Sequence, residues 1–292
     1  MSYEVLVGNC LHTLDQIEDE SIDTCITSPP YWNLRDYNDE EQIGSEPSPE
    51  LYIQNLIDVF RKVREKLKPE GTLWLNLGDT YSKENYGFVK PKDLLGIPWR
   101  VAIALQEDGW WLRQDIIWSK PSCMPESVKD RCTKSHEYIF LLSKNKEYYY
   151  DYEAIKEDIV SKGVADSPHS IKAVDGVGGS RDNLHKFKGS DKRNKRSVWT
   201  VNTVPYKGAH FAVFPPDLIE PCVLAGSPIG GTVLDPFGGS GTTAGVAVRH
   251  NRNAVLCELN EEYIQLIDDR VSAVSGGWRR GQKTLAEWFE GY

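Results

Sequence analysis

Short apolar runs alternate with stretches of helical spacing along most of this 292-residue chain. Residues 4–9 (EVLVGN) and 23–29 (DTCITSP) are β-like runs that end in turn chemistry. Between 48 and 68, apolar residues at 53, 56, 57, 60, 63 and 67 recur every three or four positions, which predicts an amphipathic helix. Ser48 precedes it as N-cap, and Pro49 suits the first helical position. A buried strand is predicted over 71–79 (GTLWLNLGD), a helix near 97–108, a strand around 113–118 and a partly aromatic strand over 136–144 (HEYIFLLSK). From about 153 to 200 this rhythm is lost in favour of Gly, Ser, Asp and Lys. It returns with a helix over 214–226, a strand over 232–237, a helix opening after Gly241, a strand over 253–259 and an amphipathic helix over 261–274. Strands alternating with helices predict a parallel α/β sheet. One irregular insertion interrupts it, and no internal repeat is evident.

Composition narrows the class. The chain is 40% hydrophobic, 11% aromatic and 26% charged, which excludes a disordered or collagen-like polypeptide. No apolar run approaches the roughly 18 residues of a membrane helix. The opening MSYEVLVGNC has no basic n-region and reads at once as a strand, so no export signal is expected. Six cysteines, at 10, 25, 123, 132, 222 and 257, form neither a CxxC pair nor zinc-ligand spacing and are expected to be reduced thiols. The net charge of −9 argues against a general polyanion binder, but an average hides local patches. Between Arg181 and Arg196 stand seven basic residues (Arg181, Lys186, Lys188, Lys192, Arg193, Lys195, Arg196) against two acidic ones, a surplus of five.

Two segments carry chemistry. At 232–260 a strand ends in Asp235, a loop holds Gly238, Gly239 and Gly241, and a helix opens with Thr242 and Thr243. A second strand ends in Glu258. Glycines let backbone approach a ligand, and an acidic side chain at the next strand's end can accept from both ribose hydroxyls. This is a βαβ unit for a nucleoside-bearing cofactor. A nicotinamide dinucleotide fits the same half, so an oxidoreductase stands as an alternative at this point.

The second segment is Ser28-Pro29-Pro30-Tyr31-Trp32, at the carboxyl end of a predicted strand. Adjacent prolines fix the turn and remove two N–H groups, leaving the Ser28 and Pro29 carbonyls free to accept. With the Ser28 hydroxyl and the Tyr31 ring, the turn offers acceptors beneath an aromatic plate, which suits a planar ring bearing an amine.

TSPPYW at 27–32 together with DPFGGSGTT at 235–243 closely resembles the S-adenosylmethionine-dependent DNA amino-methyltransferases. The order, catalytic motif early and cofactor motif late, is similar to the beta group of that family. KSHEYIFLLSK (134–144) and HFAVFPPDLIEPC (210–222) also resemble family segments, and the likeness spares roughly 153–198. The resemblance sets the oxidoreductase aside. It implies a Rossmann-like class I methyltransferase sheet with an inserted target-recognition region: a catalytic half at 1–152, the insertion at 153–200 and a cofactor half at 201–292.

The resemblance implies that Asp235, Phe237, Gly239, Gly241 and Thr242 surround S-adenosyl-L-methionine, with Glu258 on its ribose and Phe214 and Pro215 near the methionine. Asn9 and Cys10 match a segment that lies beside the adenine, where Asn9 replaces the usual acid. Ser28, Pro29, Pro30 and Tyr31 form the catalytic turn, and no metal is implied. Acceptors at Ser28 and the Pro29 carbonyl hold the amine N–H bonds out of plane, so the lone pair localises toward the methyl group. Ser28 is a weak base, so proton loss after transfer, to water, is expected.

The substrate implied is double-stranded DNA, with the target base flipped onto Tyr31. Trp32 adjoins the turn and is expected at the DNA. Arg181, Lys186, Lys188, Lys192, Arg193, Lys195 and Arg196 are expected to neutralise phosphates or read guanine edges. In the family SPPY goes mainly with cytosine N4, and N6-adenine is the alternative on the same scaffold. The only Pro-Cys, Pro221-Cys222, lies in a helical pattern and reads as core, which disfavours cytosine C5 chemistry. A binding-only relative and a methyltransferase of protein glutamine or RNA are further alternatives. A prokaryotic or phage-encoded cytoplasmic enzyme is expected, with a cognate restriction endonuclease as a further partner. Gly241→Trp is expected to block the cofactor and leave the fold intact.

Overall fold

Strands from the two ends of the chain interleave in one sheet. The computed structural model describes residues 1–34, 39, 41–159, 191–203, 214–261 and 263–277. In chain order its elements are β1 (Tyr3–Val7), α1 (Cys10–Thr13), β2 (Ile22–Thr27), α2 (Pro49–Lys66), β3 (Leu67–Leu77), α3 (Ile97–Glu107), β4 (Trp111–Ser119) and β5 (His136–Ser143). There follow β6 (Glu157–Asp158), β7 (Lys192–Arg193), β8 (Val198–Thr200), α4 (Pro216–Gly226), β9 (Thr232–Asp235), α5 (Thr242–Arg249), β10 (Asn253–Glu258) and α6 (Tyr263–Ser275).

The main sheet runs β1-β10-β9-β2-β3-β5-β4-β8. Only β5 is antiparallel to its neighbours. This is the Rossmann-like class I methyltransferase sheet. Both faces are covered, so the strands carry near-continuous apolar runs with a hidden period of two. Leu73, Leu75 and Leu77 of β3 face a core shared with Tyr52, Leu56, Phe60 and Val63 of α2 and with Val101 and Leu105 of α3. Trp74, between them, faces the opposite core, shared with Leu218 and Val223 of α4, Val246 of α5 and Ile267 and Val271 of α6.

Local chemistry sets the helix ends. Ser48 Oγ accepts from Leu51 N at 3.3 Å and Pro49 opens α2, as the sequence pattern predicts. β3 begins at Leu67 rather than at 71, because the chain turns from helix to extended backbone with no loop between. Cys222 is fully buried inside α4, as its place in the helical pattern predicts.

The sheet has eight strands among the described residues. At its edge β8 pairs with β4 through Ile117, Trp118 and Ser119. Trp199 buries its ring there and Trp118 Nε1 donates to Val201 O at 2.8 Å. Three residues are too few to show a period in sequence. Among the described residues no helix is long and apolar enough to cross a membrane.

Candidate active site

Parallel pairing brings the carboxyl ends of β1, β10, β9, β2 and β3 to one edge, where open α/β sheets bind ligands. Because β5 runs the other way, its first residues reach the same edge. Tyr138 pairs with Leu77 at the end of β3, and Glu137 lies one residue beyond.

The glycine loop follows β9. Asp235 is buried and its carboxylate is committed to protein donors. Thr27 Oγ1 donates to Oδ1 at 2.6 Å, Phe237 N to Oδ1 at 3.1 Å and Thr243 Oγ1 to Oδ2 at 2.6 Å. Burial raises its pKa to about 6 in spite of these donors. Asp235 thus ties the loop to the end of β2. Gly241, at φ +83°, caps α5; a Cβ there would meet Ile267 Cγ2 at 2.8 Å. Thr242 is buried, with Arg270 Nε 3.4 Å from its hydroxyl.

Glu258 closes β10 beside this loop. Its Oε2 accepts from Gly239 N at 2.7 Å and its Oε1 from Asn260 N at 3.0 Å. Burial outweighs these two donors and pushes its pKa up to about 7. A carboxylate has about four acceptor positions. One buried with two backbone donors, beside a glycine whose Cβ would find nothing nearer than 3.8 Å, fits a nucleoside diol.

Just past the neighbouring strand β1, Gly8 N donates to Glu258 O at 2.8 Å. Asn9 Oδ1 accepts from Leu11 N at 2.9 Å and so caps α1. Cys10 is buried, which raises its thiol pKa to about 12. Phe214 is half-buried against the core under α4, and Pro215 caps that helix.

The SPPYW turn leaves β2 at the same edge. Pro29 is buried, and Ser28, Pro30 and Tyr31 are half-buried. Tyr52 OH donates to Pro30 O at 2.8 Å and locks the turn to α2. The Tyr31 ring lies against Gly78, where a Cβ would come within 2.5 Å of Cε2. Its hydroxyl donates to Glu137 Oε2 at 2.7 Å and lies 3.3 Å from Asn76 Oδ1 and 3.4 Å from Ser28 Oγ. Burial, first, and the charge of Glu137 hold the phenol well above its usual pKa. Lys120 Nζ pairs with Glu137 Oε1 and stands 4.1 Å above the Trp118 ring. Lys134 Nζ bonds Asp79 O at 2.8 Å and is shifted down by burial.

The structure moves Trp32 from the DNA face to the core. It is 4% exposed, Nε1 donates to Glu46 O at 2.9 Å, and its ring meets Tyr86 edge-on at 5.0 Å. An indole beside a tight turn is more stable beneath it than in water.

Of the basic run, Arg193 and Arg196 both reach Glu157 Oε1, at 2.9 and 2.7 Å. Lys195 Nζ sits 5.1 Å from the Trp199 ring centroid, and Lys192 lies on β7. Arg181, Lys186 and Lys188 lie outside the described residues.

Asn76, Glu137, Lys120 and Tyr52 are not singled out by the sequence. The one available signal is a carboxylate opening an otherwise apolar strand at 136–144.

A family model described as DNA methylase, for the N6/N4 methyltransferases, matches residues 22–269. The chain is 48% identical to the type II methyltransferase M.SmaI of Serratia marcescens, covering 92% of this chain and 91% of that one. It is 43% identical to the type II methyltransferase M.Cfr9I of Citrobacter freundii, over 90% of this chain and 86% of the other. Among solved structures, a cytosine-N4-specific PvuII DNA methyltransferase superposes with a TM-score of 0.66 at 20% identity, covering 95% of this chain and 94% of that one. A putative DNA modification methylase of Thermus thermophilus, complexed with S-adenosyl-L-methionine, superposes with a TM-score of 0.63 at 24% identity, over 97% of this chain and all of the other.

Proposed function

The chain belongs to the N6/N4 DNA methylase family, and we propose that it methylates the exocyclic N4 amine of a cytosine flipped out of double-stranded DNA. S-Adenosylmethionine is the methyl donor, and when bound it supplies an electrophilic methyl group on a sulfonium centre. The observation that carries the proposal is the placement of the SPPYW turn on the edge that holds Glu258 and the glycine loop. One edge then offers a diol acceptor and an amine acceptor, joined by the Thr27–Asp235 bond.

The chain's residues divide the work. Glu258 accepts the ribose hydroxyls, with the turn at Phe237, Gly239, Gly241 and Thr242 forming the wall beside them. Asn9, Cys10, Phe214 and Pro215 bound the same side. Asp235 holds that loop against β2 and so acts through position. Ser28 Oγ and the Pro29 carbonyl accept from the target amine, and the Tyr31 face supports the flipped base. Positioning and aligned acceptors account for most of the acceleration. A serine at the head of the motif, in place of an acid, supports cytosine over adenine. Lys192, Arg193, Lys195 and Arg196, on and beside the β7 and β8 segments, contact DNA phosphates. The type II relatives support a role in restriction-modification beside a cognate endonuclease, in a prokaryotic cytoplasm.

The test is mass spectrometry of nucleosides from DNA treated with the protein and isotopically labelled S-adenosylmethionine. Labelled N4-methylcytosine is expected. Labelled N6-methyladenine would keep the scaffold and remove the weight placed on Ser28. No labelled nucleoside on DNA of diverse sequence would refute the activity.

A further inference from the structure

The methylated amine must lose a proton, and Ser28 alone is a poor base. In the fold it has company. Ser28 Oγ donates toward Tyr31 OH at 3.4 Å, long as hydrogen bonds in ligand-free sites often are. Tyr31 OH donates to Glu137 Oε2 at 2.7 Å. Two hydroxyls therefore point the same way and end on one carboxylate. Asn76 Nδ2 holds that carboxylate oxygen at 3.3 Å and Tyr138 O at 3.0 Å, while Lys120 holds the other oxygen. Gly78 gives the Tyr31 ring the room to reach Glu137. Two strands and two connections thus converge on Glu137: Asn76 from β3, Lys120 from the residue after β4 and Tyr31 from the turn, with Glu137 itself on β5.

We propose that Glu137 is the terminal proton acceptor of the reaction, reached from the target amine through Ser28 and Tyr31. The inference rests on the amine-methylation reading above. Once the amine nitrogen has used its lone pair to bond the methyl group, it is cationic and carries one proton in excess. That proton passes to Ser28 Oγ, the Ser28 hydroxyl proton passes to the Tyr31 oxygen, and the phenol proton passes to Glu137 Oε2. Both hydroxyls end neutral, the amine ends neutral, and the carboxylate becomes a carboxylic acid. No further reactant is needed. Burial and the neighbouring carboxylate keep Tyr31 a neutral phenol, so it relays the proton and does not ionise. The aromatic residue of the turn then serves twice, by its face for the base and by its hydroxyl for the proton.

Glu137→Gln, Tyr31→Phe and the double variant separate the relay from packing. Single-turnover methylation should fall about 100-fold in each single variant, the scale of a lost general base. Dissociation constants for cofactor and DNA should stay within about threefold, since the relay acts after binding. The double variant should be no slower than the slower single one, because members of one relay act as a unit. Glu137→Asp should keep part of the rate. Without cofactor or DNA, 13C NMR of ζ-labelled tyrosine should show the Tyr31 resonance, identified by its loss in Tyr31→Phe, move upfield in Glu137→Gln. Full rate in Glu137→Gln, losses that multiply in the double variant, or an unmoved resonance would overturn the relay while leaving the function. Failure of the wild-type chain to methylate any DNA amine would overturn both.

Discussion

Thr27 and Asp235, 208 residues apart in the chain, meet in a 2.6 Å hydrogen bond from Thr27 Oγ1 to Asp235 Oδ1. Thr27 is the last residue of β2, one before the SPPYW turn, and Asp235 is the last of β9, one before the glycine loop. Adjacent parallel strands place their ends together, so a single buried bond sets the spacing between the two halves of the site. Removing it leaves a buried carboxylate oxygen with one backbone donor, which costs about 1–3 kcal/mol or more for a charged group. Thr27→Val should therefore lower the calorimetric melting temperature and weaken cofactor binding together. Thr27→Ser, which keeps the donor, should restore both. Affinity unchanged in a destabilised Thr27→Val variant would reduce the bond to a packing contact.

Glu258 sets a pH dependence whose sign follows from its surroundings. Burial raises its pKa from 4.5 to about 7 in the ligand-free chain. The folded state then holds its proton more tightly than the unfolded state. This contribution to stability is fully present below about pH 4.5 and is lost as pH rises through about 7. It amounts to roughly 3 kcal/mol at the conversion of 1.36 kcal/mol per pH unit. Asp235, raised to about 6, adds in the same direction. Nucleoside binding at the proposed site should have the opposite slope, because ribose hydroxyls would donate to the ionised carboxylate. Adenosine or cofactor affinity should tighten by up to about tenfold per unit below pH 7 and level off above it. Glu258→Gln should bind weakly with a flat profile. A flat wild-type titration would detach Glu258 from the ribose.

Trp32 and Gly241 show where local reading stops. Trp32 follows the SPPY turn, and adjacency suggests a DNA contact, yet the ring fills the space between the turn, Glu46 and Tyr86. Its truncation to Ala should cost about 3–5 kcal/mol, as for other large buried residues. Trp32→Phe should lose only the bond to Glu46 O, about 1 kcal/mol, with DNA affinity intact. A large loss of DNA affinity in Trp32→Phe, with melting temperature preserved, would return the residue to the interface.

Gly241 is expected from sequence to take a tryptophan with the fold intact. Its left-handed backbone and the 2.8 Å approach of Ile267 oppose that: a side chain there must displace Ile267 and strain the backbone. Gly241→Ala should destabilise the chain by about 1–3 kcal/mol, the usual cost of overpacking. Ile267→Ala should relieve part of it, leaving the cost of the positive φ. Purely additive losses on thermal unfolding would show that the two residues do not press on each other.

The strands and the glycine loop are legible in the sequence because their signals are local. An apolar run such as LWLNL in β3, or a glycine turn between a strand and a helix, states its own structure. β8 is not, since its three residues carry no period and gain their place from Trp118 and Trp199. Glu137 is not, for a different reason. Its place in the site depends on β5 running antiparallel, which brings the start of that strand to the edge where the parallel strands end. Topology of that kind is decided by pairing across the sheet, and no single window of sequence contains it. The Thr27–Asp235 bond is illegible on the same ground, although both residues sit inside motifs that can be read.

The basic run has a built-in counterweight. Glu157 Oε1 is shared by Arg193 at 2.9 Å and Arg196 at 2.7 Å, so two of the expected phosphate ligands are held by one carboxylate on the β6–β7 ribbon. Phosphates that take over these guanidiniums must displace Glu157. Each phosphate contact contributes about 0.9 to the slope of log affinity against log salt. Glu157→Gln should therefore tighten DNA binding at low salt with little change in slope, because it removes a competitor and adds no contact. Reversing Lys192, Arg193, Lys195 and Arg196 together should weaken binding and flatten the slope by up to about 3–4 units. Fluorescence anisotropy of labelled duplex DNA across a salt series reads both quantities. An unaltered slope in the charge-reversed variant would remove the β7–β8 segment from the DNA interface and leave Glu157 as a surface ion pair.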